Sequence, residues 1–269
     1  MQNVLALLAV LFYGLSAVYF SVKFFLKKER LGTLAFFFLL IGWVAHGLDL
    51  LAFGLDHHRF PAATLAEASS VLFWLILLFV MLIVRRDSMD VLGVILIPLA
   101  ILSILFNDLH RQTEQTLHPL LQSGWLYVHI PCMILSIASL TLTCVMAILY
   151  LLQERQLKSH HPSFLYDRLP SLETCENISN KSLWFGFFML TVGILTGMVW
   201  SKNLRGTYWS WDQKETWSLI TWGLYAILIH GRMLSSWRGR KAAYFAILGF
   251  VFMLFTIGVS LIFQSYHSF

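Results

Sequence analysis

The sequence has few charged residues for its length. Only 12% of its 269 residues are Asp, Glu, Lys or Arg, and 58% are hydrophobic. Ordinary soluble domains carry about 25% charged residues. Together with a mean hydropathy of +0.72, this deficit means that most of the surface does not face water. The composition therefore excludes an ordinary soluble domain.

Cysteine is also scarce. The chain has three cysteines, Cys132, Cys144 and Cys175, and contains neither a Cys-x-x-Cys nor a Cys-x-x-Cys-His motif. The sequence thus excludes a dithiol redox motif and a site for covalent haem attachment in this chain. We interpret the three thiols as small apolar filler.

Long apolar runs make up most of the chain, without a linker, a low-complexity tract or a convincing repeat. Continuous runs favour helices that cross about 30 Å of hydrocarbon, because barrel strands would alternate in polarity. The first run lacks a basic n-region and a cleavage site, so we expect it to be retained. We predict an all-α integral membrane protein, one polytopic domain over residues 1–269 with about eight transmembrane helices. The runs lie at about 3–22, 33–53, 66–84, 91–106, 125–152, 183–200, 217–234 and 243–263.

Basic residues predict the orientation of these helices. Fourteen of the 19 Lys and Arg residues fall in one set of connections, and five fall in the other. Because basic loops stay on the inner side of a membrane, both termini are expected on the outer side. The net charge of +5 then reflects this bias and requires no nucleic acid. The five outer residues are Arg59, Arg111, Lys202, Arg205 and Lys214.

A connection rich in tryptophan, residues 201–216, separates the sixth and seventh runs; we call it the tryptophan loop. Tyr208, Trp209, Trp211 and, just beyond it, Trp217 surround Asp212. Exposed aromatic surface is costly, so these rings need a cover of lipid headgroups, protein or a flat ligand. Tryptophan and tyrosine also concentrate at membrane interfaces without any ligand, so the pattern alone leaves these readings open.

Two histidines fall at the depth of the tryptophan loop. His129 lies about one turn into the fifth run, and His267 lies just past the eighth. Two imidazoles on different helices can bind opposite faces of one haem iron. Lys202, Arg205 and Lys214 are nearby cations for carboxylates at the ring edge. An interfacial histidine also serves as a simple hydrogen-bonding side chain, and spacing does not decide between the two.

Other polar and small residues lie within or beside the apolar runs. His46 and His230 are inside spans, where ionisable groups are functional candidates. His46 fits half of a second site or a polar packing group, and Asp49 shares its helix face. Thr64 and Glu67 predict a helix capping box. The pair Gly193 and Gly197 predicts close helix packing.

The segment from Gly206 to Trp222 resembles the tryptophan-rich (WWD) signature of haem-handling membrane proteins, in the CcsA/ResC branch of the cytochrome c assembly family. The similarity is strongest over 183–269. It continues through His230 and His267, and upstream through Ser123–Ile130 and through Arg59-Phe-Pro61 with Glu67.

The resemblance implies the haem-handling subunit of a cytochrome c haem lyase complex, and whether the chain itself is an enzyme stays open. It implies that His129 and His267 ligate the iron of a non-covalent haem b at the outer face. The implied platform is Tyr208, Trp209, Trp211, Asp212 and Trp217. The implied acceptor is an apocytochrome c with a Cys-x-x-Cys-His site, and the implied partner is a CcsB/ResB-type protein. No residue of this chain is expected to act as a catalytic acid or base.

Within the same resemblance, His230 matches a membrane histidine linked to haem passage, and His46 has no assigned counterpart. Two positions depart from the family pattern: Arg205 stands where tryptophan is usual, and Gln213 stands where proline is usual. A HemX-like regulatory protein without ligation activity, and a transporter or structural protein with an aromatic loop, are the alternatives. The expected location is a bacterial cytoplasmic membrane, with a thylakoid membrane as the other.

Overall fold

The structure is a computed structural model that describes residues 2–28, 30–84, 89–110, 124–159, 163–234 and 237–262. All regular structure within these ranges is α-helical, as predicted. The helices are α1 Gln2–Leu26, α2 Leu31–Asp56, α3 Leu65–Ile83, α4 Asp90–His110, α5 Leu126–Lys158, α6 Leu172–Arg205, α7 Gln213–Leu234 and α8 Arg240–Ile262.

Seven of the helices in the described ranges are long and apolar enough to cross a membrane. Helix α7 is outside this set, since His230, Arg232 and several tryptophan and threonine residues lower its hydropathy. The protein is thus a multi-pass membrane protein, and the side on which its termini lie stays a prediction. Helices α5 and α6 extend beyond the predicted runs 125–152 and 183–200, so the connection between the two helices is shorter than the interval between those runs.

The described helices group into two compact units. Helices α1 to α4 together with Ser163–Pro170 form the first unit, and helices α5 to α8 form the second. Arg168 fixes the 163–170 segment to α1, because its guanidinium donates to the carbonyls of Phe24 and Phe25 at 2.6 and 2.9 Å. A single domain over 1–269 stays a prediction.

A buried polar cluster lies among the helices of the first unit. His46 is 1% exposed, its Nε2 lies 2.9 Å from Ser70 Oγ, and its Nδ1 lies 3.4 Å from the Tyr13 hydroxyl. Beside it, the Trp43 and Trp74 rings stack at 4.7 Å, and each indole N–H donates to the other residue's carbonyl at 3.0 Å. Both ring nitrogens of His46 therefore have polar neighbours, which favours the packing reading of this residue.

The start of α3 confirms half of the predicted capping box. Thr64 Oγ1 accepts from the Glu67 backbone N–H at 3.2 Å. The Glu67 carboxylate does not close the box on Thr64; it accepts from the Ala63 N–H at 2.9 Å and from both terminal nitrogens of Arg59. The buried carboxylate is thus satisfied by a backbone donor and a bidentate cation, which fixes the chain before the helix.

In the second unit, small residues let α5 and α6 approach closely. A Cβ added to Gly186 would lie 2.8 Å from Leu140 Cγ, and one added to Gly193 would lie 2.5 Å from Met133 Sδ. Ser136 on α5 donates to the Gly186 carbonyl at 2.9 Å. The close helix packing predicted for the Gly193–Gly197 pair is confirmed, and it brings the start of α5 against the end of α6.

Candidate functional site

His129 is held against α6 by one of its ring nitrogens. Its Nδ1 lies 2.7 Å from the carbonyl oxygen of Gly193. A carbonyl only accepts, so Nδ1 carries the proton and Nε2 carries the free lone pair. Nε2 forms no hydrogen bond within the part of the chain that the structure describes. Metal-ligating histidines are commonly oriented by such a contact, so the ring is prepared to donate Nε2 to a metal.

A pocket opens beside this ring, at the junction of α5, α6 and the tryptophan loop. Its empty volume is about 510 Å³, part of which is open to solvent. Its lining combines apolar side chains with Tyr208, Trp209 and two charged side chains. The lining consists of His129, Met133, Ile194, Gly197, Met198, Tyr208, Trp209, Lys214, Glu215 and Ser218. An apolar, aromatic pocket with few polar groups is the usual form of a small-molecule or cofactor site.

Gly197 makes room for the His129 ring. A Cβ at this position would lie 2.9 Å from Cε1 and 3.0 Å from Nδ1 of His129. We expect Gly197→Ala to displace the imidazole and to weaken the haem binding that the family resemblance implies about tenfold, in the range that orienting contacts contribute. The measurement is a haem titration of purified protein followed by absorbance.

Gly223→Ala is the matched control for this substitution, because a Cβ on Gly223 meets no atom within 4 Å. Both variants add one methyl group to a glycine within a helix of the second unit. Equal haem affinity for Gly197→Ala and the unchanged protein would contradict the role of this glycine.

The tryptophan loop enters α7 through Asp212. Its Oδ1 accepts from the Glu215 N–H at 2.8 Å, which is an N-terminal cap three residues before Glu215. The Glu215 carboxylate turns back to the loop and accepts from the Ser210 N–H at 2.7 Å. Asp212, expected from the sequence in the platform, therefore fixes the direction in which the loop meets the helix.

Arg205 joins the two carboxylates. Its guanidinium lies 2.7 Å from Glu215 Oε1 and 3.3 Å from Asp212 Oδ2, and it donates to Ser201 Oγ and Ser210 Oγ at 2.8 and 2.9 Å. Glu215 is only 9% exposed, so its charge needs this cation. Arg205, at the position where the family resemblance predicts tryptophan, thus holds the loop together. We call this set of side chains the Arg205 network.

The aromatic residues of the loop take three different places. Trp209 lines the pocket and meets the exposed Trp211 edge to face, with ring centroids 5.9 Å apart. Trp211 has a φ of 57°, a left-handed conformation that costs energy for a bulky residue. Trp217 packs against Phe252 and Phe255 of α8 instead of lining the pocket.

The remaining two predicted cations differ in their surroundings. Lys202 donates to the Gly206 carbonyl at 2.6 Å and lies over the Tyr208 ring at 5.3 Å. Lys214 lies in the first turn of α7, ahead of its apolar stretch, and lines the pocket. Burial lowers the pKa of its ammonium, and the nearby Asp212 carboxylate opposes that shift. Lys214 is therefore the predicted cation that faces the pocket.

Neither His46 nor His230 lines this pocket. His230 is exposed on α7, with its Nδ1 3.0 Å from the Ala226 carbonyl. His46 belongs to the polar cluster of the first unit. His267 lies outside the described residues. The roles given to all three residues stay predictions.

Sequence reasoning missed five residues that line the pocket: Met133, Ile194, Met198, Glu215 and Ser218. Glu215 had a readable signal, because Asp212-x-x-Glu215 is itself a capping pattern. Met133 lies four residues after His129 and so shares its helix face. Met198 carried no such signal.

The chain is similar to proteins of cytochrome c biogenesis. Residues 62–267 match the model of the family described as Cytochrome C assembly protein. The cytochrome c biogenesis protein CcsA of Mesostigma viride is 32% identical over 98% of this chain and 93% of that protein. CcsA of Guillardia theta is 35% identical over 78% of this chain and 76% of that protein.

A solved structure has the same fold. The cytochrome c heme lyase CcmF superposes with a TM-score of 0.70 at 18% identity, over 100% of this chain and 49% of that one. The chain thus spans about half the length of CcmF. The family match covers far more than half of the sequence, and the CcsA of Mesostigma viride is similar over nearly its full length. The chain therefore belongs to the cytochrome c assembly protein family.

Proposed function

We propose that the chain binds haem b non-covalently at its outer face, through His129 and His267, and presents it for covalent attachment to apocytochrome c. The observation that carries this proposal is the contact of His129 Nδ1 with the Gly193 carbonyl at 2.7 Å, which leaves Nε2 as a free donor to iron. The names of the similar CcsA and CcmF proteins support the same process.

The residues of the pocket fit such a ligand. Neutral imidazole is a common axial ligand of haem iron. The Trp209 and Tyr208 rings supply aromatic wall for a flat macrocycle, and Met133 and Ile194 supply apolar contact. Lys214 supplies a cation for a carboxylate. Donor, wall and charge thus occur together in one pocket.

The work of this chain is to hold and orient its cargo. His129 would offer its Nε2 to the iron from a fixed position, because the Gly193 carbonyl of α6 holds the ring and Gly197 leaves space for it. The Arg205 network fixes the loop whose Trp209 lines the site. The apolar side chains of the pocket would exclude water from the edge of the macrocycle that they contact. Haem supplies the iron and the vinyl groups to which the two thiols of the acceptor add. No acid or base of this chain is needed in that scheme.

The proposed setting is a complex in a bacterial cytoplasmic membrane, with a thylakoid membrane as the other location. A CcsB/ResB-type protein is the proposed partner, and His230 is the proposed contact of this chain on the route of haem through the membrane. The exposed position of His230 on α7 is compatible with a contact outside its own helix.

Co-expression tests this function. We expect covalent cytochrome c, detected by haem staining of a denaturing gel, when the chain is produced with a CcsB-type partner and an apocytochrome with a Cys-x-x-Cys-His site. An acceptor with both cysteines replaced by serine is the control. Bound haem without covalent product above that control would favour the HemX-like alternative. Absence of haem from the purified protein would favour the transporter or structural alternative.

A further inference from the structure

Charged side chains gather at the end of the second unit that lies away from the pocket. Arg240 of α8 donates to Glu154 of α5 at 2.6 Å, and Arg232 of α7 donates to the Asn180 amide oxygen of α6 at 3.4 Å. Along α5, Glu154 is roughly 38 Å from His129 at 1.5 Å per residue. The ends of four helices therefore meet at this cluster, on the side that the basic residues predict to be inner.

Arg232 has no full counter-charge in this cluster. It is half-buried in the last turn of α7, and it forms no ion pair with any residue that the structure describes. The Glu176 carboxylate attracts its guanidinium, whereas the Arg238 guanidinium repels it. Glu176 also accepts from the Gly239 N–H at 2.9 Å. One carboxylate therefore balances two neighbouring guanidinium groups only in part.

The next carboxylate is already engaged by other cations. Glu154 accepts from Lys158 at 2.5 Å and from Arg240 at 2.6 Å. Arg238 is exposed and pairs with no carboxylate within the described ranges. Two like charges held close together, one of them half-buried, cost free energy unless an anion joins them. Arg232 and Arg238 thus carry an excess positive charge that suits an anionic ligand.

Apolar surface lies beside these two arginines. Trp237 packs on α7 because Gly231 leaves room for its ring: a Cβ on Gly231 would lie 2.4 Å from Trp237 Cδ2. Leu234, at the end of α7, and Tyr244, in the first turns of α8, are 79% and 59% exposed. Tryptophan and tyrosine concentrate at the depth of lipid headgroups. A ligand that joins an anionic group to apolar chains therefore fits this surface better than a small soluble anion does.

We propose that Arg232 and Arg238 bind the phosphate of an anionic phospholipid, whose acyl chains lie against Trp237 and the exposed end of α7. Guanidinium groups bind phosphate through paired N–H donors. Basic residues between the ends of membrane helices form headgroup sites of this kind. The lipid supplies the missing negative charge and so stabilises the junction of α6, α7 and α8. This site does not depend on the proposed haem binding.

Thermal unfolding tests the site. Purified full-length protein in a non-ionic detergent is supplied with phosphatidylglycerol, with phosphatidylcholine or with inorganic phosphate, and unfolding is followed by circular dichroism. We expect saturating phosphatidylglycerol to raise the unfolding temperature by about 5 °C, because a ligand that binds only the folded state stabilises it. Phosphatidylcholine has no net charge and inorganic phosphate has no acyl chains, so both should raise it far less. Native mass spectrometry should detect phosphatidylglycerol retained on the chain.

Three variants make the test specific. Arg238→Gln removes an exposed side chain, so the fold should stay intact while phosphatidylglycerol binds about tenfold more weakly, as expected for a lost charge-assisted hydrogen bond. Arg232→Gln should weaken binding at least as much. Arg155→Gln is the matched control, because Arg155 is exposed on α5 at the same end of the unit and its loss removes the same charge. This control should bind the lipid like the unchanged protein.

Several results would overturn the site. Equal weakening in Arg155→Gln and Arg238→Gln would indicate attraction to the general surface charge in place of a defined site. An equal rise in unfolding temperature with phosphatidylcholine would remove the need for an anionic lipid. An equal rise with inorganic phosphate would show that a soluble anion is sufficient and would overturn the lipid as the ligand.

Discussion

His129→Ala is expected to lower the haem content of the purified protein by at least about tenfold and to abolish its low-spin spectrum. Removing contacts that merely orient a ligand already costs about tenfold to 100-fold in metal affinity, and this change removes the proposed ligand itself. Among the residues that the structure describes, the ring forms a hydrogen bond only with the Gly193 carbonyl, so its removal breaks no other such contact there. Replacing His129 and His267 together should leave no bis-histidine spectrum. Absorbance of the oxidised and reduced protein measures both results.

His110→Ala is the matched control for this prediction. The Nδ1 of His110 also contacts a backbone carbonyl, that of Phe106 at 2.8 Å, but His110 is exposed at the end of α4 in the first unit. Its loss should leave haem content and spectrum unchanged. A low-spin spectrum that survives in the His129→Ala protein would refute the ligand assignment, and equal losses in both variants would indicate a general defect in folding.

Arg205→Met is expected to destabilise the second unit by about 3 kcal/mol, because it leaves the buried Glu215 carboxylate without its cation. The same change removes donors to Ser201 and Ser210, so the tryptophan loop should loosen. Thermal unfolding in detergent, followed by circular dichroism, gives the change in stability. Accessibility of the tryptophans to a soluble fluorescence quencher reports on the loop.

The partner variant separates charge from packing. Adding Glu215→Gln to Arg205→Met removes the unpaired charge, so the double variant should recover part of the lost stability. Arg205→Trp, which introduces the residue that the family resemblance predicts there, should behave like Arg205→Met rather than like the unchanged protein. Additive losses in the double variant would contradict an interaction between the two side chains.

The sequence was sufficient to predict the helices, close helix packing at Gly193 and Gly197, and the Thr64 cap, whereas the partner helix α5 comes from the structure. Each of these depends on local signals: the length of an apolar run, a glycine pair four residues apart, and a cap followed by glutamate. The approach of His129 to the tryptophan loop was predicted only as a shared depth. The structure adds the contact with Gly193 and the room given by Gly197.

Other details of the site could not be predicted from the spacing of residues in the sequence, because they depend on which neighbour forms a hydrogen bond or an ion pair with each polar side chain. Arg205, Lys202 and Lys214 were equivalent cations in the sequence. In the structure two carboxylates and two hydroxyls engage Arg205, a carbonyl and a ring engage Lys202, and only Lys214 faces the pocket. Trp217 is similar: its ring could have joined the loop, and α8 provides better contact in Phe252 and Phe255.

Helices α3 and α7 begin with the same device, in which an upstream arginine pairs with the glutamate of the first turn. Arg59 and Glu67 are eight residues apart, and Arg205 and Glu215 are ten apart. In each device the arginine and the glutamate that it pairs with therefore belong to one short segment of the chain. In engineering or in evolution, the smallest segment that can be exchanged as a unit then runs from the arginine to the first turn of the following helix. A chimaera that carries the whole segment into another helical membrane protein should keep the conformation of the segment. Exchange of only the arginine or only the glutamate would leave the other charge of the pair without its partner.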